Sequence, residues 1–304
     1  MANQEKNKYQ SHILVEQIDQ FVAYLEVEKL YASNTISAYQ RDLFKFLSFC
    51  LENSVTEWQD IEPDTLNLFV MGLRHRGVSA RSIRRYLSTI RGFFTFLVKQ
   101  GVLIENCVIS IQTPKIDQVL PKTIDFDDLK RMMTLSSELY SELRAVVMIE
   151  LMYSCGLRVS ELVGIDINDL DLEEGFVRVK GKGGKTRFSP IGSSAINAVE
   201  MYLPKRPSCE NNALFLNRNN HRISPRSIQN IVKKRALEVG ITVNVHPHML
   251  RHAAATHFLQ SSHDLRTVQE FLGHKSIKST QIYTHLDFLE LSKVYDEFHP
   301  RAKK

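Results

Sequence analysis

Ten residues near the middle of the chain, Thr113-Pro114-Lys115-Ile116-Asp117-Gln118-Val119-Leu120-Pro121-Lys122, most constrain how it can fold. Two prolines among polar side chains continue neither a helix nor a strand, so the segment reads as a link between two folding parts. At 304 residues the chain is long enough to build two cores. The part before the link shows helical periodicity. Over 12–29, apolar residues recur at Ile13, Leu14, Ile18, Phe21, Val22 and Leu25. Ser33-Asn34-Thr35 offers an N-cap for a second helix through Tyr39, Leu43, Phe46 and Leu47. Pro63 suits the first turn of a third helix that runs to about His75. Ser79 can cap a fourth, ending near Gly101, with Ile83, Leu87, Ile90, Phe94 and Leu97 as its apolar stripe.

The part after the link is mixed. Helices are expected over 125–133, 141–153 and 157–162. Phe176 to Lys180 alternates like a strand, Gly181-Lys182-Gly183-Gly184 is a turn, and Thr186 to Ile191 returns as a second strand. Ala213 to Leu216 is a candidate further strand. Helices follow near 225–239, 248–260, 264–272, 276–284 and 287–297. The fold class expected is mainly α with a small β-sheet (α+β), in two domains. These are a helical domain over 11–105 and, after a linker over 106–120, a second domain over 121–297.

Composition and charge narrow the function. The longest apolar stretch, Ala145 to Leu157, is interrupted by Glu150 and is too short to span a bilayer. The polar start MANQEKNKYQ lacks the apolar core of a signal peptide. Four isolated cysteines argue against a disulfide framework and fit a reducing, cytoplasmic setting. Net charge is only +5, but it is segregated. No acid lies between Asp64 and Glu105, where arginines stand at 74, 76, 81, 84, 85 and 91. The stretches Glu174–Glu200 and Glu210–Glu238 are likewise basic, whereas Glu161, Asp166, Asp169, Asp171, Glu173 and Glu174 follow one another without a base. Such segregation is the footprint of a polyanion-binding surface, and solvated helix faces are the competing explanation.

Several segments carry chemistry. His246-Pro247-His248-Met249-Leu250-Arg251-His252 opens a helix at Pro247, with His248 and Arg251 one turn apart. A proton-transferring imidazole beside a guanidinium fork suits an anionic group such as a phosphate. The histidines could equally cap and pack the helix. A zinc helix would need the Glu of H-E-x-x-H, which is missing. Arg158 lies in Cys155-Gly156-Leu157-Arg158-Val159-Ser160-Glu161-Leu162, with Glu161 either as its ion-pair partner or as a backbone brace. Lys182 tops the glycine-flanked turn, where a solvated lysine is the plainer reading. His274 follows Leu272-Gly273, and Tyr283 lies in Gln281-Ile282-Tyr283-Thr284-His285. A phenol with a pKa of about 10 attacks only where cations stabilise the phenolate. No carboxylate cluster suited to two catalytic metals is visible.

Taken in order, G-L-R-x-S-E-L, the G-K-G hairpin, H-x-L-R-H, L-G-H and a following tyrosine resemble the tyrosine recombinases of the phage integrase family, nearest to their bacterial Xer branch. The resemblance covers nearly the whole chain and includes the helical first part. It implies that the two domains clamp a DNA duplex. It implies Tyr283 as nucleophile in a 3′-phosphotyrosyl intermediate, Arg158 and Arg251 on the phosphate oxygens, His248 and His274 beside them, and Lys182 as the acid for the leaving 5′ oxygen. It implies no metal and no cofactor. The partners implied are double-stranded DNA with a dif-like site and a XerD-type recombinase in a heterotetramer. A DNA translocase is a candidate activator, and the setting is the nucleoid. The last helix would dock on a neighbouring subunit. The duplex-contacting candidates are Arg81, Arg84 and Arg85 on the fourth helix and Arg226, Lys233 and Lys234 on the helix over 225–239. A mobile-element integrase would share the chemistry, and a non-catalytic DNA-binding protein would share only the basic helices. Ala253-Ala254 and Ser189 depart from the family pattern and put local packing in question.

Overall fold

A computed structural model describes residues 2–115, 124–137, 139–181, 186–273, 291 and 294–302, with side chains from 12 onward. Two compact units, Met1–Leu120 and Pro121–Lys304, divide the chain.

Four helices make the first unit: α1 (Ala2–Val27), α2 (Ser33–Glu52), α3 (Pro63–His75) and α4 (Ala80–Lys99). The start of α4 follows from Ser79, whose hydroxyl accepts the backbone N–H of Ser82. For α2 the cap falls just before the expected segment Ser33-Asn34-Thr35. Ala32 occupies the N-cap without a side-chain bond, and Ser33 is already helical. The apolar stripe of α4 meets Leu14, Ile18 and Phe21 of α1 and Leu43 and Phe46 of α2 in one aromatic-rich core. Trp58 stands edge-on to Phe93 at 5.0 Å, and Phe21 meets Phe93 at 5.4 Å. Residues 106–111, placed within the expected linker, are packed here. Val108 and Ile111 are buried, and Arg91 donates to the carbonyls of both.

The second unit is built around α6 (Tyr140–Ser154), which is apolar on nearly all sides and buried from Ala145 to Ser154. Around it lie α5 (Phe126–Met133), α7 (Val159–Gly164), α8 (Ser193–Tyr202), α9 (Pro225–Glu238), α10 (Pro247–Ser262) and α11 (Leu265–Phe271). The sheet has the order β1-β2-β3, all antiparallel: β1 (Leu170–Asp171), β2 (Phe176–Lys180) and β3 (Thr186–Pro190). The pairing of Lys180 with Thr186 gives the expected hairpin.

Two expectations are corrected. Residues 213–216 form no strand but two isolated bridges, Asp166 with Ala213 and Leu216 with Arg222. Helix α8, over a stretch where the sequence signals none, starts from Gly192 without a side-chain cap. The described part of the last helix packs against its own unit. Residues 294–298 are helical, and Tyr295 and His299 are buried with their rings stacked at 4.4 Å. The Ser193 hydroxyl donates to the carbonyl of Ala302 at 3.1 Å.

Candidate active site

Helix α6 ends in a turn that only glycine fits. Gly156 has φ +56°, and a Cβ there would stand 2.8 Å from the Phe271 ring. The turn delivers Arg158 to the N-cap of α7. Glu161, at the third position of that helix, accepts the Arg158 backbone N–H at 2.8 Å and its guanidinium at 2.7 Å. Both roles open to Glu161 from sequence, ion-pair partner and backbone brace, are therefore filled at once.

Glu161 is also where three arginines converge. Arg187, from β3, approaches with both terminal nitrogens, at 2.9 and 3.1 Å from the two carboxylate oxygens. Arg251, from α10, lies 3.6 Å from Oε2, donates to the carbonyl of Gly156, and donates to that of Leu272 at 2.6 Å. Burial pushes the Glu161 carboxyl up, but the hydrogen bonds and charges of Arg187 and Arg158 outweigh it and hold the group below its ordinary value. Burial, reinforced by Arg158 and Arg187, lowers Arg251 to about 10, which leaves it charged at neutral pH. The three arginines and one carboxylate leave two positive charges over, an arrangement complementary to a phosphodiester.

His248 is exposed in the first turn of α10, whereas Arg251, one turn on, is buried. His248 lines an open hollow of about 660 Å³ with Thr242, Val243, Asn244, His246, Met249 and His252. Burial and the neighbouring His248 lower the pKa of His246. Among the described residues no three of His, Cys, Asp and Glu gather as a metal-binding group. No described helix is long and apolar enough to cross a membrane. Lys182, His274 and Tyr283 lie outside the described residues, as does the helix expected over 276–284. Strands β2 and β3 flank the segment that carries Lys182. Gly273, next to His274 in sequence, has φ +64°, and a Cβ there would stand 2.8 Å from Arg187 Cδ.

The DNA-contact candidates separate. Arg81, Arg84, Arg226 and Lys233 are exposed with no ion pair among the described residues, and Lys234 pairs loosely with Glu238 at 3.3 Å. Arg85 is different. It grips the buried Asp42 of α2 with two nitrogens at 2.8 Å, so its fork is spent inside the first unit. Other members of the basic runs are also paired with acids. Arg178 pairs with Asp169, Arg222 with Asp166, and Arg235 with Glu142. Sequence reasoning left Arg187 in a basic run and did not single it out. The signal was there: Arg187 and Ser189 are polar residues on the inward face of a strand. Ser189 donates to the carbonyl of Cys155 at 3.1 Å, and Ala253 and Ala254 are fully buried, so each departure from the family pattern is accommodated in the core.

Residues 122–290 match the Phage integrase family, and residues 18–101 match the Phage integrase, N-terminal SAM-like domain. The chain belongs to the phage integrase family. A Tyrosine recombinase XerC of Pseudomonas fluorescens is 43% identical over 292 residues, 95% of this chain and 98% of that protein. A Tyrosine recombinase XerC of Shigella flexneri is 43% identical, covering 94% and 97%. Tyr283-Thr284-His285-Leu286-Asp287-Phe288 and the ending His299-Pro300-Arg301-Ala302-Lys303 are the sequence features that point to the same branch. Among solved structures, XerH site-specific recombinase bound to palindromic difH substrate superposes with a TM-score of 0.65 at 25% identity, covering 86% of this chain and 79% of that one. A lambda integrase dimer bound to a COC′ core site shares the fold, with a TM-score of 0.67, 18% identity, and coverage of 88% and 97%. As a family member the chain is a site-specific tyrosine recombinase.

Proposed function

We propose that this recombinase resolves chromosome dimers at a dif-like DNA site, together with a XerD-type partner in a heterotetramer, before cell division. The Tyr283 oxygen attacks the scissile phosphorus, and the bond to the 5′ oxygen breaks. A 3′-phosphotyrosyl link forms, and the phosphoester energy stays in that link, so rejoining needs no ATP. His248 helps move the tyrosine proton, Lys182 protonates the departing 5′ oxygen, and His274 donates to the phosphate. Arg158 and Arg251 bind the non-bridging oxygens and stabilise the charge that grows there. The observation that carries this reading is the convergence of Arg158 and Arg251 on one buried carboxylate, which fixes two cations before any phosphate arrives. Duplex contacts are assigned to Arg81 and Arg84 on α4 and to Arg226, Lys233 and Lys234 on α9, which are exposed on their helices. The link between the units is assigned to the residues that follow Ile111.

Covalent trapping tests the reading. The protein is mixed, in excess chelator, with a nicked duplex carrying a dif-like site, with and without a XerD-type recombinase. The expected product is an SDS-resistant protein–DNA band that is absent for Tyr283→Phe. A band that survives Tyr283→Phe refutes the nucleophile, and loss of the band in chelator refutes the metal-free route. A strong band that ignores the partner favours a lone mobile-element integrase.

A further inference from the structure

We infer that Arg187 is a positioning residue for strand cleavage: it holds the Glu161 carboxylate from behind, so that Arg158 and Arg251 are aimed by Glu161 without being captured by it. The inference rests on Arg158 and Arg251 being the phosphate ligands.

The geometry divides the carboxylate in a definite way. Oε1 is shared by Arg158 Nη1 at 2.7 Å and Arg187 Nη1 at 2.9 Å. Oε2 takes the Arg158 backbone N–H at 2.8 Å and Arg187 Nη2 at 3.1 Å, and Arg251 Nη1 stands 3.6 Å away. Arg187 is thus the only one of the three arginines whose guanidinium grips both oxygens. Arg158 gives Glu161 a single guanidinium nitrogen and remains 41% exposed at its side chain. Arg251 spends its closest contacts on the carbonyls of Gly156 and Leu272.

A carboxylate and a phosphate compete for the same guanidinium fork, because both offer two oxygens at matching spacing. With Arg187 absent, the two-oxygen face of Glu161 would be open to Arg158 or Arg251, whichever swung in, and that fork would be lost to DNA. Arg187 itself is poorly placed to bind DNA. It is 92% buried, given its relative exposure of 8%, and both its terminal nitrogens are engaged. It also ties separate parts of the site together. It stands on β3, directly after the segment that carries Lys182. Its Cδ and Nε crowd Gly273, where a Cβ would come within 2.8 and 2.9 Å, beside His274 in sequence. Removing the hold would therefore disturb several candidate catalytic positions while leaving the duplex-facing helices untouched.

Arg187→Lys keeps the charge but cannot span two oxygens. It is compared with Arg158→Lys and with the double variant Arg187→Met/Glu161→Gln, which removes one charge of each sign and so keeps the net charge of the site should Arg187→Met alone fail to fold. Three quantities are read on folded full-length protein: melting temperature, affinity for a dif-like duplex, and the single-turnover rate of covalent product on the nicked duplex at saturating protein. Arg187→Lys is expected to bind the duplex within about twofold of wild type and to cleave roughly tenfold to a hundredfold more slowly, the scale of a small misplacement of catalytic groups. The double variant is expected to bind DNA and cleave slowly. A wild-type cleavage rate in Arg187→Lys or in the double variant, or a loss confined to DNA affinity or to folded fraction, overturns the inference. If Arg158→Lys is slow while Arg187→Lys is not, only the inference falls. If Arg158→Lys cleaves at the wild-type rate, the phosphate-ligand reading falls, and the inference with it.

Discussion

Glu150 and Arg301, 151 positions apart, form an ion pair that fastens the end of the chain to the central helix of the second unit. Arg301 Nε lies 3.2 Å from Glu150 Oε2, and the carboxylate is 1% exposed. Burial raises the Glu150 carboxyl, and the Arg301 charge pulls it partly back. The apolar run of α6 thus tolerates an acid because its partner arrives from the far end of the sequence.

Arg301→Ala should destabilise the second unit by about 3 kcal/mol, because it leaves a carboxylate buried alone. Without Arg301 the carboxyl moves further up. An acid raised in the fold contributes stability at low pH and loses it as pH rises through the folded value. The deficit should therefore be large at pH 7.5 and shrink toward pH 5. Thermal melts of both proteins at the two pH values check this, and a deficit independent of pH would contradict it.

His299 should make the fold acid-sensitive. Burial, with the charges of His257 and Arg301, depresses it to about 3. A depressed histidine contributes stability above its unfolded value of about 6.5 and loses it as pH falls toward the folded value. His299→Phe keeps the ring against Tyr295 but gives up the hydrogen bond from the Arg301 N–H. Between pH 7 and 5 its melting temperature should fall less steeply than that of wild type. Parallel slopes would show that His299 is not the responsible group.

Arg84 and Arg85 are sequence neighbours with opposite expected phenotypes. Arg85→Ala strands the buried Asp42 and should cost the first unit about 2 kcal/mol, discounted because Arg85 is itself half exposed. Arg84→Ala should leave the melting temperature nearly unchanged and lower the slope of log affinity against log salt by about 1. Salt titrations of DNA binding and thermal melts on the same samples separate the two.

Ser189→Ala should be nearly silent in stability, within about 1 kcal/mol by chemical denaturation. Its hydroxyl satisfies only the carbonyl of Cys155, and the methyl group suits the surrounding core. A larger loss would mean that this hydrogen bond anchors the Gly156 turn.

Much of this was legible in the residues. Pro63 and Ser79 sit where α3 and α4 start, because proline and serine carry their helix-start signals in their own chemistry. Arg158, Arg251 and His248 stood out because motif order survives without three-dimensional knowledge. What sequence could not show is pairing across distance. The acidic run from Glu161 to Glu174 and the basic runs after it look like opposed surfaces on paper. In the fold Glu161 takes Arg187, Asp166 takes Arg222, and Asp169 takes Arg178. Part of the apparent polyanion footprint is internal neutralisation, and Arg187 was hidden inside it. Helix α8 was missed for a different reason: Gly192 at its N-cap provides no side-chain signal.

The bond from Arg85 to Asp42 has a consequence for how α4 can meet a partner. A helix held only by greasy contacts can roll a little about its own axis, since one apolar ridge substitutes for the next. A two-pronged bond to a carboxylate on α2 works as a keyway and sets the azimuth of the whole cylinder. Arg84, the preceding residue, and Arg81, one turn earlier, inherit that bearing. The side chain tied to the carboxylate is the one that decides which way its exposed neighbours point.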